Sequence, residues 1–157
     1  MIIVANTTPI ISLASINHLE LLEKLFGKIM IAEAVYHEIK AKQHYGYFEI
    51  DKDFIEVLPI RGLLYRDFLL KELDLGEAET IILAKEMKAD FVIIDENLGY
   101  KMANNIGLTA IRTLSILLRA KELGYISQLK PLLDDMIEKG RWYSNNVYCA
   151  ILARAGE

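Results

Sequence analysis

The sequence predicts an α/β fold, a three-layer α/β/α sandwich with a central parallel sheet. Three observations predict it. Short apolar runs rich in β-branched residues recur at Ile2–Ala5, Lys28–Ile31 and Phe91–Ile94, and runs of that kind read as strands buried on both faces. Segments of helical spacing separate them, and strands alternating with helices build a parallel sheet covered on both sides. No internal repeat, low-complexity tract or long linker interrupts the alternation, so 157 residues, 53% of them hydrophobic, fit one domain spanning 1–157.

The elements follow in order. Ile2–Ala5 is a buried strand that stops at Asn6, and Thr8-Pro9 reads as an N-cap with proline at the first helical position. His18–Leu25 places Leu19, Leu21, Leu22 and Leu25 on an amphipathic helix ended by Gly27. Lys28–Ile31 is the second strand and Ala32–Lys40 a helix. From Ala41 to Arg61 the pattern weakens. His44-Tyr45-Gly46-Tyr47 reads as a turn, and Phe54–Ile60 as an edge strand with Pro59 near its end. Leu63–Leu73 resumes helical spacing, Gly76 breaks it, and Glu77–Lys88 is helical again. Phe91–Ile94 is the clearest strand and ends at Asp95. A helix runs on to Ile106 with Gly107 as its stop. Leu108–Ile111 is a further strand, and three helices bounded by Gly124, Gly140 and Ser144 complete the chain.

Charge and cysteine content narrow the classes. The formal net charge of −4 argues against a strongly basic nucleic-acid coat, although it leaves nucleic-acid binding open. Cys149 is the single cysteine, so no disulfide framework exists within the chain, and a small core residue on the last helix is its expected role. The N-terminal apolar run lacks a basic region and is too short for a signal peptide or a membrane span. The expectation is a cytoplasmic protein with no membrane association. His18, His37 and His44 lack zinc spacing, and neither a phosphate-binding glycine loop nor a serine nucleophile elbow is present.

In open parallel sheets ligands bind beyond the carboxyl ends of the strands. Strand one ends at Asn6, with Thr7 and Thr8 next. Strand two leads into the helix that carries Glu38, three residues after Val35 and therefore on or beside its apolar face. The helix feeding the strongest strand opens with Gly76-Glu77-Ala78-Glu79, and that strand ends at Asp95-Glu96. Each acid also has an ordinary structural reading: a helix-border Glu for Glu38, dipole-favouring acids for Glu77 and Glu79, a turn acid for Asp95 or Glu96. Glu77 and Glu79 point in different directions, so only one of them reaches a shared ligand. Several carboxylates at one rim suit divalent-metal phosphoryl transfer, because Mg²⁺ and Mn²⁺ prefer oxygen ligands.

In these segments the chain resembles the PIN-domain superfamily of metal-dependent ribonucleases. More narrowly it is similar to the DUF3368 branch, akin to the toxin ribonucleases of prokaryotic toxin–antitoxin pairs. VANTTPIISLASI resembles the family opening, IAEAVYHEI the segment with the second acid, DLGEAETIILAKE the Gly-Glu-Ala-Glu helix start and FVIIDENLGYKMA the strand-end acid segment. The tail GYISQLKPLLDDMIEKGRWYSNNVY and the closing AGE follow the branch pattern, so the resemblance covers nearly the whole chain.

The resemblance implies a PIN-like fold and RNA cleavage with Mg²⁺ or Mn²⁺. It puts Asn6 at the usual first aspartate and Glu38 at the second acid. Glu79 falls at the third, with Glu77 as the alternative, and Asp95 at the fourth, with Glu96 beside it. Thr7 or Thr8 would offer a supporting hydroxyl. A homodimer and an antitoxin-like protein partner are expected on the same grounds. Asn6 departs from the acidic pattern, and charge count tunes affinity at hard-cation sites, so weaker metal binding or a shift toward Mn²⁺ is expected. RNA contacts are expected from Lys42, Lys101 or Arg112, with Tyr45 or Tyr47 as stacking groups. Two other classes compete: a non-catalytic module that binds RNA or protein, and a small phosphohydrolase on a similar sheet.

Overall fold

A computed structural model describes all residues, 1–157. The chain forms five strands and nine helices in the order β1 (Ile3–Ala5), α1 (Thr7–Ser15), α2 (Glu20–Phe26), β2 (Ile29–Ala32), α3 (Glu33–Lys40), β3 (Ile55–Leu58), α4 (Leu63–Leu69), α5 (Leu75–Glu86), β4 (Phe91–Ile93), α6 (Asn97–Asn105), β5 (Ala110–Ile111), α7 (Thr113–Glu122), α8 (Lys130–Glu138) and α9 (Asn145–Arg154). The strands form one sheet in the order β3-β2-β1-β4-β5, and every neighbouring pair is parallel. The expected parallel sheet is therefore present, with Phe54–Ile60 placed as an edge strand.

Side chains alternate across the sheet as the pleat requires. Ile3, Ala5, Ile29 and Ile31 pack into one core with Leu13 of α1, Leu21 of α2 and Leu117 of α7. Val4, Val92 and Ala110 face the other core, built on Ile81 and Leu83 of α5 with Ala103 of α6. That makes three layers. Helix α5 crosses behind β1, β2 and β4, and its residues from Gly76 to Ala84 are all buried. It therefore carries Glu77, Glu79 and Thr80 into the interior, where a polar group needs a partner.

Four local expectations are corrected. The first helix starts at Thr7 with Asn6 as its N-cap, not at Thr8-Pro9, because the Thr7 and Thr8 hydroxyls are both engaged by carboxylates. The helix expected over Leu63–Leu73 ends at Leu69. Gly76 lies inside the first turn of α5 and does not break it. Cys149 is exposed. The buried stripe of α9 runs through Ile151 and Leu152, and Cys149 falls off that stripe.

Candidate active site

The strand order fixes where a site can form. From β1 the chain steps outward through β2 to β3, then returns to β4 on the other side of β1. A crevice opens at such a reversal, beyond the carboxyl ends of the two diverging strands. Here those ends are Asn6, directly after β1, and Asp95-Glu96, after β4. The Asn6 N–H donates to the Ile93 carbonyl at 3.0 Å, extending the ladder to the rim.

Asn6 is 3% exposed. Its Nδ2 donates to Glu96 Oε2 at 3.3 Å, and its Oδ1 accepts from the Thr80 hydroxyl at 3.3 Å. The second carboxylate oxygen of Glu96 accepts from the Thr8 hydroxyl. Glu96 is the backbone N-cap of α6, yet its side chain caps nothing and reaches across to α1. Thr7 and Thr8 thus orient one acid each, since Thr7 donates to Glu38 Oε2.

Glu38 comes from α3 and is exposed. Its Oε1 accepts from the Gly76 N–H at 3.0 Å. The carboxylate rests on the Cα of Gly76 so closely that an added Cβ would lie 2.6 Å from both oxygens. Glycine is needed here for close approach, not for its backbone angles. Glu77, 7% exposed, completes the rim. The Asp74 carboxylate accepts from the Glu77 N–H at 2.8 Å, and Glu77 Oε2 accepts from the Asp74 N–H at 3.1 Å. This reciprocal capping box starts α5 and leaves Glu77 Oε1 beside Gly99.

The rim is electrostatically uncompensated. None of Glu38, Asp74, Glu77 and Glu96 has a Lys, Arg or His nitrogen within 4 Å. Burial pushes the Glu38 carboxyl above its usual range, and the charges of Asp74 and Glu96 push the same way, against the bonds from Thr7 and Gly76. Burial also raises Glu77, with Asp74, Glu96 and Glu38 adding repulsion. A loss of solvation combined with like charges favours the protonated acid.

The two other sequence candidates face elsewhere. Glu79 Oε1 accepts from the Ala34 N–H at 3.2 Å, at the start of α3, and Oε2 accepts from Arg66 at 3.5 Å. Asp95 turns into the protein. Its Oδ1 accepts from the Thr113 N–H at 2.8 Å and its Oδ2 from the Thr113 hydroxyl at 2.7 Å, with Arg141 Nη2 at 3.7 Å. Burial pushes its carboxyl up, while Thr113 and Arg141 oppose that shift. Asn6, Glu38, Glu79 and Asp95 therefore differ in their partners: Glu79 and Asp95 each accept from a backbone N–H and face an arginine, whereas Asn6 and Glu38 have no cation within 4 Å. The residues brought together are Asn6, Glu38, Glu77 and Glu96, with Asp74, Thr7, Thr8 and Thr80 in support.

The family described as "DUF3368: PIN domain" matches residues 2–157. The chain belongs to this family of PIN domains. No curated protein matches it. PIN domains are generally nucleases and typically use divalent metals, and the rim of this PIN domain fits such an ion in donor chemistry. Its free donors are hard oxygens, and no protein cation competes for them. No three His, Cys, Asp or Glu side chains are already spaced to hold an ion; Glu38, Glu77 and Glu96 each rest on neutral donors of the chain. No helix is long and apolar enough to cross a membrane.

Sequence reasoning missed Asp74, Gly76 and Thr80 as parts of this rim. Asp74-Leu75-Gly76-Glu77 carries the D-x-x-E spacing of a capping box, so the Asp74–Glu77 pair had a readable signal. The approach of Glu38 to Gly76 and the bond from Thr80 to Asn6 are long-range and had none.

Proposed function

We propose that this PIN domain is a metal-dependent endoribonuclease that works at the rim of Asn6, Glu38, Glu77 and Glu96, with Mg²⁺ or Mn²⁺ as its cofactor. The observation that carries this reading is an uncompensated acidic rim at the one reversal of strand order. A divalent ion bound there supplies charge neutralisation at the scissile phosphate and activation of water. The chain's own residues supply the rest. Glu38 and Glu96 offer carboxylates oriented by Thr7 and Thr8. Glu77 offers Oε1 while Oε2 holds the helix start. Asn6 presents its amide nitrogen to Glu96 and so acts first as a positioning residue for that acid. Glu79 and Asp95 hold α3 and α7 in place.

A second reading, a catalytically weak module that binds RNA or a protein partner, is favoured by that same Asn6–Glu96 bond, because a neutral donor stands where the superfamily resemblance puts its usual first aspartate. A toxin-like role with an antitoxin-like partner, a homodimeric state and a cytoplasmic location extend the proposal through the family resemblance.

The test is cleavage of single-stranded RNA with Mn²⁺ and with a chelator. Wild type should cut only with the metal, and Glu38→Gln and Glu96→Gln should each lose at least about a hundredfold. Cleavage that survives both substitutions sinks the assignment. Absence of cleavage across many RNAs, with no Mn²⁺ binding in calorimetry, selects the binding module.

A further inference from the structure

A cavity of about 600 Å³ opens beside the rim, and Glu96 lines both. Its other walls come from the end of β4, the starts of α6 and α7, the connection between α8 and α9 and the first turn of α9, and they include Asp95, Arg112, Arg141, Trp142, Tyr143 and Val147. The volume lies within the ordinary range for small-molecule sites. The acid rim does not use these residues, and of them only Arg112 is an expected RNA contact.

Their chemistry is specific. Trp142 is the only tryptophan in the chain, and it is 79% exposed. A large planar apolar face in water at the mouth of a cavity is a stacking platform without an occupant. Arg112 is fixed and uncompensated. It donates from Nη1 to the Asp95 carbonyl at 2.7 Å and from Nη2 to Asn97 Oδ1 at 3.0 Å, and its guanidinium lies 4.1 Å from the centroid of the Tyr100 ring. It has no carboxylate within 4 Å, whereas Arg141 is shared with Asp95. A fixed guanidinium and an exposed indole together match a phosphate and the π-face of a base. Duplex RNA would not offer that face, because its bases are stacked inside the helix.

We infer that the Arg112–Trp142 cavity is a nucleotide subsite of the acid rim, holding one unpaired residue of single-stranded RNA next to the scissile bond. Its base stacks on Trp142 and its phosphate meets Arg112. The assignment rests on the nuclease reading for the position of the scissile bond, while the binding it asserts does not require turnover.

The single tryptophan makes the test direct. A five-residue oligouridylate titrated into the metal-free protein should quench tryptophan fluorescence saturably, and added salt should weaken the effect. Arg112→Gln should weaken that binding about tenfold, and Trp142→Ala should weaken binding of a fluorescein-labelled oligonucleotide by a similar factor, with Trp142→Phe largely restoring it. In Mn²⁺-dependent cleavage, Trp142→Ala should raise KM more than it lowers kcat. Cleavage by wild type with no quenching and an unchanged KM in Trp142→Ala overturns the subsite and leaves the nuclease reading intact. Quenching without cleavage under any metal overturns the nuclease reading and leaves the binding cavity. A blue-shifted emission in the free protein, with a dimer in sedimentation, gives the indole to a second copy of the chain and overturns the subsite.

Discussion

Glu77 and Glu79 share one turn of α5, and Asp95 and Glu96 are adjacent, yet the members of each pair have opposite surroundings. Glu79 and Asp95 are compensated: each accepts a backbone N–H from the start of a helix and faces an arginine. Glu77 and Glu96 stand at the strand-order reversal with no Lys, Arg or His nitrogen within 4 Å. The difference teaches that proximity in sequence does not make two acids equivalent. Residues two apart on a helix project in different directions, and successive residues leaving a strand point to opposite sides. The inner acid of each pair holds a helix start, Glu79 tying α3 to α5 and Asp95 tying α7 to the end of β4, and the outer one is left for a ligand.

The sharpest way to break this contrast is at Asp95. Asp95→Ala strands the Thr113 N–H and Arg141 inside the protein, and a loss of about 3 kcal/mol is expected in urea unfolding of the metal-free chain. Glu96→Gln keeps a side chain that can accept from Thr8 and should change stability by less than about 1 kcal/mol. Equal losses would erase the distinction between inner and outer acids.

The same contrast at α5 is smaller. Glu79→Gln removes the charge that faces Ala34 N–H and Arg66, a cost of about 1–2 kcal/mol, and should leave any Mn²⁺-induced rise in Tm unchanged. Glu77→Gln preserves the capping geometry, since glutamine serves at that position. It should cost little stability but reduce the Mn²⁺-induced rise. If the two variants exchange these phenotypes, Glu79 is the ligand.

Most of the fold was legible in the sequence because it rests on local pattern. The strand at Phe91–Ile93, the edge strand at Ile55–Leu58 and the three closing helices follow from apolar periodicity and from stops such as Gly124 and Gly140. The site was legible in part. The rule about carboxyl ends led to Asn6, Glu38 and the two acidic pairs, because strand ends can be read from the chain. Which member of each pair faces the crevice depends on partners far away, Thr113 for Asp95 and Ala34 for Glu79, and no spacing encodes those contacts. The Trp142 cavity was illegible for the same reason: it joins the α8–α9 connection to the start of α6.

Asn6 probes the outer set from the other side. Asn6→Asp replaces the donor to Glu96 with a second carboxylate at about the same place. Without metal the two charges repel, so the metal-free Tm should fall. With Mn²⁺ the added charge strengthens the site, and affinity in calorimetry should rise several-fold, with cleavage following. An unchanged affinity would remove position 6 from the ligand set and leave it as a positioning residue.

The smallest effect separates compensated from uncompensated acids by the sign of a pH dependence. Glu157, which bonds Lys121 and the N–H groups of Leu129 and Lys130, has its carboxyl lowered to about 2, chiefly by Lys121. The folded state holds that proton more weakly than the unfolded chain. Its stabilisation is therefore complete above the ordinary value of 4.5 and is lost as pH falls toward 2. The stability of wild type over Glu157→Gln should shrink across that window. Glu38 and Glu77 are raised by burial, so the folded metal-free state holds their protons more tightly than the unfolded chain does. Below 4.5 they cost nothing, and the penalty of ionising them grows as pH rises through their folded values. Metal-free Glu38→Gln should match wild type in Tm at pH 4 and exceed it at pH 7.5, and saturating Mn²⁺ should reverse the order at pH 7.5, because only the ionised carboxylate binds the ion. A Tm difference independent of both pH and Mn²⁺ would mean that Glu38 is held by Thr7 and Gly76 alone, and the contrast between inner and outer acids would then stop at α5 and β4.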